Sequence, residues 1–370
     1  MAANPVPEFV SPEERGWSLA RVATFPGLRV LAWDGNLLYA SRGYNLLRAK
    51  ITGDQESIGW QPVGRYRPEI WRNLSSSLRL TSRLFRDGFH ALAVLPSGHI
   101  VGAVPGAIIT LAPGETEFRV SHKVQRGTRP LHITATPDGS IFWGEYFDNA
   151  RRDEVHIYGS RDQGATWSVA RTFPRGTIRH VHNIIHDPWG NCLWVLTGDN
   201  GDECQILRVS CDFKNVDVVL SGNQQARAVS LVPAADGLYF SSDTPLERNH
   251  IYRLDRRGSV STLADLNSSS TYGCRVGNAI FFSTMVEPSN VNPDRTVNLY
   301  GALDGVQWRQ QLSWPKDRWP MGLFQYGNAF LPDGKNTTNQ LALTTLAVTP
   351  VDLETSLWRI VNGPATNLRG

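Results

Sequence analysis

Cysteine is scarce in this 370-residue chain, and so is charge. The four cysteines, Cys192, Cys204, Cys211 and Cys274, contain no C-x-x-C pair, which excludes a zinc-ribbon or thioredoxin-like arrangement. Free, mostly buried thiols in a reducing compartment are the expectation. Charged residues make up 19% of the chain, 37 basic against 34 acidic, for a net charge of +3. So small an excess builds no field for a polyelectrolyte, and no nucleic-acid partner is expected. No run approaches the roughly 18 apolar residues that would cross a bilayer as a helix, so no membrane partner is expected either. The opening MAANPVPEFVSPEERGW has neither a basic n-region nor an apolar h-region. A cytoplasmic location follows, with secretion left open by the Asn-x-Ser/Thr triplets at Asn73, Asn267 and Asn336.

Other residues are plentiful. Hydrophobic residues at 41% suffice for a large core and exclude global disorder, while 33 Gly, 22 Pro and 12 Trp suit many short strands joined by tight turns better than a helical bundle. One pattern recurs along the chain: an alternating apolar run, a turn rich in Pro, Asp and Gly, then a second apolar run. It reads LRVLAWDGNLLYASR from Leu28, FHALAVLPSGHIVGAV from Phe89, LHITATPDGSIFWGEY from Leu131 and VHNIIHDPWGNCLWVLTGD from Val181. It continues as ARAVSLVPAADGLYFSSD from Ala226 and TYGCRVGNAIFFST from Thr271, with a weaker LFQYGNAFLPDGK from Leu323. Period-two alternation about such turns is the hairpin signature, and most copies are followed by a further strand-like stretch. Seven units of roughly fifty residues predict an all-β, seven-bladed β-propeller, with six blades as the alternative architecture. A pair of β-sandwiches with accidental similarity is the competing reading. No linker divides the chain, so residues 1–370 read as one domain with blades starting near 28, 89, 131, 181, 226, 271 and 323. The irregular gaps mark loop insertions at 51–84 and 286–296, and Trp17–Thr24 is expected to pair with the last blade and close the ring. A monomer or small homo-oligomer is expected.

The third unit ends in Ser160-Arg-Asp162-Gln-Gly164-Ala-Thr166-Trp167, and the sixth carries a degenerate Leu303-Asp304-Gly305-Val306-Gln307-Trp308. In such a turn the Asp carboxylate accepts backbone N–H groups, Gly takes a positive φ and Trp packs on the blade edge. The S-x-D-x-G-x-T-W pattern resembles the Asp-box, or BNR repeat, of the sialidase-like propeller superfamily. The resemblance itself spans these two hairpins. It implies a peripheral, structural Asp162 and carbohydrate chemistry: sialidases and other glycosidases, propeller-shaped polysaccharide lyases, or non-catalytic sugar binders. The Arg-Ile-Pro element of sialidases has no counterpart, Leu28-Arg29-Val30 being the nearest stretch and lacking the proline, which argues against sialic acid as substrate.

A propeller gathers the first strand of each blade around its axis, so equivalent positions face one another. Aligning the hairpins places Arg29, His90, His132, His182, Arg227, Tyr272 and Phe324 at one register. A second polar set ends the second strands, at Gly144-Glu145-Tyr146, Thr197-Gly198-Asp199 and Ser242-Asp243-Thr244. Arg129 and Arg179 add positive charge, and strand alternation puts His180 on the face of His182. Arginines gathered at a sugar site read carboxylates through paired hydrogen bonds, so an oligo- or polysaccharide with an acidic sugar such as a uronate is the expected partner.

The expected reaction is cleavage of a glycosidic bond beside that sugar. In β-elimination, Arg179 or Arg227 neutralises the carboxylate while His132, His182 and Tyr146 exchange the protons. In hydrolysis, two of Glu145, Asp199 and Asp243 act across the sugar. His90, Arg29, Arg129 and Tyr272 are expected to bind substrate. No cofactor is called for by any local motif, although His90, His132 and His182 converging on the axis form a possible divalent-metal set with Glu145 or Asp199 beside it. A catalytically silent glycan-binding or scaffold propeller is the alternative. Trp143 and Trp194 are expected in the core, Trp189 at an outer edge, and Tyr44 is available for stacking on sugar.

Overall fold

The structure, a computed structural model, describes residues 16–53 and 58–363. The opening segment, residues 54–57 of the first insertion and the last seven residues lie outside them. Seven sheets form seven blades. The first blade holds strands Arg29–Gly35, Leu37–Arg42, Asn45–Lys50 and Gln61–Arg65, and the second Ala91–Val94, Ile100–Val104, Ala107–Leu111 and Arg119–Lys123. The third holds Thr134–Ala135, Ile141–Gly144, Val155–Ser160 and Ser168–Phe173, and the fourth Val181–Asp187, Cys192–Thr197, Gln205–Val209 and Val216–Ser221. The fifth runs from Ala228–Ala234 to Val260–Leu266 and the sixth from Ser270–Val276 to Arg309–Pro315. The seven-bladed expectation holds.

Period-two patterning explains the strands, and burial explains why they stack. The second strand of a blade is buried on both faces, as in Cys192–Thr197 and Ala279–Thr284, because each blade is covered on both sides by its neighbours. The apolar core is accordingly divided among the seams between blades. Leu31, Tyr39, Phe89 and Leu92 fill the first seam; Trp143 with Ala91 and Ile133 fills the second; Trp194 with Leu231 and Phe240 fills the fourth. Trp143 and Trp194 are therefore core residues, as expected, and Trp194 donates its N–H to Asp187 at 3.1 Å.

The seventh blade is built differently. Its inner strand, Asn328–Phe330, is short and pairs with Gln340–Leu346, which pairs with Glu354–Asn362. Trp17–Pro26 then adds the outermost strand, from Trp17 opposite Asn362 to Pro26 opposite Glu354, so the ring closes through the segment expected to close it. Between the inner two strands the chain does not turn back at once. Asp333–Asn336 runs parallel to the first blade's inner strand, Ala32 opposite Asp333, and lies along the axis. The weak seventh repeat thus begins its inner strand at Asn328 rather than near Leu323. Phe324 ends a short helix, α3 (Met321–Phe324), and the register position expected for it belongs to Phe330.

The first insertion forms two helices, α1 (Ile70–Ser75) and α2 (Arg79–Phe85). The buried Arg83 of α2 ties them to the seventh blade, donating to the Phe324 carbonyl at 2.6 and 3.0 Å and to Asp317 at 2.5 Å. Arg79 adds a two-point bond to Asp352. Arg86, in the left-handed region at φ 53°, ends α2 and returns the chain to the axis at His90.

The S-x-D-x-G-x-T-W turn forms the bonds expected of it. Asp162 accepts from Ser160 Oγ at 2.8 Å, Thr166 N at 2.9 Å and Thr166 Oγ1 at 2.5 Å, while Trp167 packs in the second seam and donates to Ser121. The fourth blade repeats the device at Ser210 and Asp212, which the sequence pattern hides because the Gly and Trp are missing. No helix among the described residues is long and apolar enough to cross a membrane. All four cysteines are free, with Cys192 and Cys204 buried.

Candidate functional site

The inner strands bring Arg29, His90, His132, His182, Arg227 and Tyr272 to the same end of the axis, at or just before the first residues of their strands. They do not form one uniform ring. A continuous run of contacts passes from His90 to Arg29 (3.5 Å, nitrogen to nitrogen), from Arg29 to the Phe330 ring (4.0 Å), from Phe330 to Tyr272 (5.1 Å between centroids) and from Tyr272 to His132 (6.0 Å). His132 Nδ1 in turn donates to Asp333 at 3.0 Å, the first residue of the axial segment. His182 and Arg227 belong to a second group around Asp199. The metal set expected from His90, His132 and His182 is thus divided. Among the described residues the one group of three that gathers metal-ligand atoms is His180, His182 and Asp199.

The first group is unusual in its charge. Arg29 and Arg129 have no carboxylate within ion-pair distance among the described residues; Arg129 donates only to Thr128 Oγ1, at 3.0 Å. Burial pushes the Arg129 guanidinium down to about 10, and repulsion from Arg86 and Arg29 adds to it. Burial likewise lowers Arg29. His90 donates Nε2–H to the Arg86 carbonyl at 2.6 Å and accepts from Arg29 on Nδ1. Burial, then the charges of Arg129 and Arg29, hold it well below the ordinary imidazole value, so it is a neutral acceptor that steadies Arg29. Unpaired guanidinium groups in a desolvated setting raise the local affinity for an anion.

The second group is dense in hydrogen bonds. His180 and His182 approach each other at 3.0 Å through Nε2, and both face Asp199 Oδ1, at 3.4 and 3.3 Å. Arg179 donates to the other Asp199 oxygen at 3.1 Å and to Asp148 at 2.6 Å. Burial alone would raise the Asp199 carboxyl, but the His180 and His182 rings that face it hold it far below the usual carboxylate range. Asp243 goes the other way: burial raises it, partly offset by Arg227, and its buried Oδ1 has no hydrogen-bond partner among the described residues. One Arg227 nitrogen lies 3.5 Å from Asp199 and 3.7 Å from Asp243, so the two carboxyl groups flank a single guanidinium. Tyr146 packs against His180 with 4.3 Å between centroids and the rings tilted by 42°, and burial followed by the charges of Asp199 and Asp243 pushes its hydroxyl up to about 12.

The turn that aims Asp199 depends on Gly198, at φ 79°. A Cβ there would sit 1.8 Å from the Glu203 carbonyl oxygen, so the backbone packs where no side chain fits. The chain after Thr197 bends sharply enough to return Asp199 towards the histidines.

Three expected placements are corrected. Glu145 is 3% exposed and points away from the axial groups: it forms a two-point ion pair with Arg126 and accepts from the His156 amide at 2.8 Å, so it ties strands and carries no axial chemistry. Trp189 is not at an outer edge; it lines, with His132, Tyr272, Asp333 and Arg275, a cavity of about 940 Å³ that opens at the hairpin-turn end of the axis. Tyr44 is buried and donates to Asp87, which removes it from sugar stacking. Conversely, Arg86, Phe330 and Asp333 join the site without being expected there. The Pro332-Asp333-Gly334 triplet reads as a hairpin turn in sequence, and only the parallel pairing with the first blade puts Asp333 on the axis.

No family model matches the chain, and no curated protein matches it. Solved structures of similar shape are numerous. A chain in the crystal structure of a mitotic checkpoint complex superposes with a TM-score of 0.55 at 11% identity, over 98% of this chain and 99% of that one. The WD40 β-propeller domain of Doa1 gives 0.53 at 12% identity, over 93% and 97%. An extracellular domain from B. thetaiotaomicron gives 0.54 at 12% identity, over 94% of this chain and 42% of that one. At such identities the likeness is one of fold.

Proposed function

We propose that the protein binds an acidic saccharide at the arginine-bearing end of its axis and cleaves the glycosidic bond beside the uronate by β-elimination. The observation that carries this reading is the pair Arg29 and Arg129: two half-buried guanidinium groups without a carboxylate among the described residues, next to polar groups fit to move protons. Leaving cations unpaired out of bulk water is costly unless an anionic ligand supplies the missing charge. A carboxylated sugar does so with the planar geometry that guanidinium matches.

Arg129 and Arg29 take the carboxylate and stabilise the charge that develops when C5 loses its proton. His132, its Nδ1–H committed to Asp333, offers Nε2 as the base, the arrangement of an oriented imidazole. The electron pair of the C5–H bond forms the C4=C5 double bond, and the C4–O bond breaks. Tyr146, protonated at neutral pH, gives its proton to the leaving oxygen. Arg227 and Arg179, first expected to neutralise the carboxylate, already have Asp243, Asp148 and Asp199 beside them, so Arg29 and Arg129 take that role here.

Hydrolysis is the second reading, favoured by one feature: Asp243 raised and Asp199 lowered on either side of Arg227, a pair of carboxyl groups with separated protonation. Incubation with a panel of uronate polysaccharides distinguishes the readings. The ultraviolet absorbance of an unsaturated uronate supports elimination, and new reducing ends without it indicate hydrolysis. Saturable binding without either product makes the protein a non-catalytic glycan binder. The absence of any binding overturns the acidic-saccharide reading.

A further inference from the structure

We propose that His180, His182 and Asp199 form a divalent-metal site of the zinc type, with three protein ligands and a remaining position for water. This inference does not rest on the saccharide reading, and its test uses no sugar.

The tautomers carry the first half of the case. His180 Nδ1 lies 3.2 Å from the Phe147 carbonyl oxygen, and His182 Nδ1 lies 2.9 Å from the Ala228 carbonyl oxygen. A carbonyl accepts only, so each ring carries its proton on Nδ1. In the neutral rings both Nε2 atoms are therefore lone-pair acceptors. Those two atoms are 3.0 Å apart, and both face Asp199 Oδ1, at 3.4 Å from His180 and 3.3 Å from His182. Three acceptors facing one another in a buried place repel unless a cation sits among them.

Spacing carries the second half. Zinc holds imidazole nitrogen at about 2.0–2.1 Å and carboxylate oxygen at about 2.0–2.2 Å, and a tetrahedron of such bonds sets its ligand atoms roughly 3.3 Å apart. The three edges here, 3.0, 3.3 and 3.4 Å, outline one face of that tetrahedron. The Nδ1–H bonds to backbone carbonyls are the outer-shell pattern that orients a ligating histidine. Arg179 holds the second Asp199 oxygen, and the Gln224 amide donates to the Asp199 carbonyl at 3.1 Å, so the carboxylate is fixed before any ion arrives. Arg179 and Arg227 oppose a cation, but Asp148 and Asp243 lie beside them and offset that charge. Two histidines and one carboxylate are a donor set that zinc accepts with one position left for water.

The test is a cobalt(II) and zinc(II) titration of the full chain after chelator treatment. One equivalent of cobalt is expected to give the intense visible absorption of a four-coordinate ion, and zinc is expected to displace it. His180→Ala and Asp199→Asn are each expected to lose that absorption while melting cooperatively. Should either fail to fold, His90→Ala serves as the control that keeps it, and nitrogen-15 shifts of the wild-type rings give an independent readout. Failure of the folded wild type to bind either metal stoichiometrically overturns the proposal. Binding undiminished in both ligand variants overturns it too. So does an imidazolium at His180 or His182 that persists at neutral pH when zinc is added, for a proton then fills the place assigned to the metal.

Discussion

The guanidinium carbon of Arg29 lies 4.0 Å over the ring of Phe330, joining the first blade to the seventh at the axis. The arginine is held by an aromatic face and by neutral His90, not by an acid, and its charge stays available to a ligand. Arg129, which repels it, is the cleaner residue to remove. Arg129→Gln is expected to weaken uronate-polysaccharide binding at least tenfold in calorimetric titration. Its stability should stay within about 1 kcal/mol of wild type, because no ion pair is broken.

Tyr146→Phe separates chemistry from binding. With the hydroxyl pushed up to about 12, the residue is protonated throughout the neutral range and suited to giving a proton. Its removal is expected to lower kcat on a cleaved polyuronate by about 10²–10⁴ with little change in KM. Steady-state kinetics check this; an unchanged kcat would assign the proton to another group.

His90 sets an acid limit on stability. The native state keeps it neutral well below its ordinary 6.5, with Arg129, Arg29 and Arg86 as the charges facing it. In the window from 6.5 down to the native value the unfolded chain binds the extra proton, so stability falls as pH falls. His122 and His186, also lowered by burial, act in the same direction. The melting temperature is therefore expected to drop between pH 7 and 5, and His90→Asn to flatten part of that slope.

How much of this could be read from residues alone differs by region. Hairpins with a two-residue period announce themselves, so six inner strands and the register of Arg29, His90, His132, His182, Arg227 and Tyr272 were legible. The seventh blade was not, because its inner strand is three residues long and the chain then runs beside the first blade instead of turning back. That non-local pairing is why Phe330 and Asp333, not Phe324, reach the axis. Glu145 looked like Asp199 and Asp243 in sequence. Only its distant partner Arg126 distinguishes it. The α1 and α2 insertion gave no helical signal, since neither Glu69 nor Leu78 caps its helix with a side-chain bond.

Arg83 anchors that insertion from a nearly fully buried position, facing Asp317 and Asp352. Arg83→Ala leaves Asp317 with Lys316 and Asp352 with Arg79, but takes the donors from the Phe324 carbonyl and empties a buried position, and is expected to cost about 1–3 kcal/mol. Faster amide exchange across residues 70–85 is the accompanying local readout. Asp162→Ala, on the periphery, should cost only about 1 kcal/mol by thermal melting and leave any activity intact.

Closure through Trp17–Pro26 has a consequence for biosynthesis. Trp17–Pro26 is synthesised long before Glu354–Asn362 and must wait for that segment before it finds its partner. Until then Trp17–Pro26 is an unsatisfied strand, the condition under which strands from different copies cross-pair. Joining segments so far apart in the chain is slow, and the completed circle should accordingly be late to assemble and late to come apart.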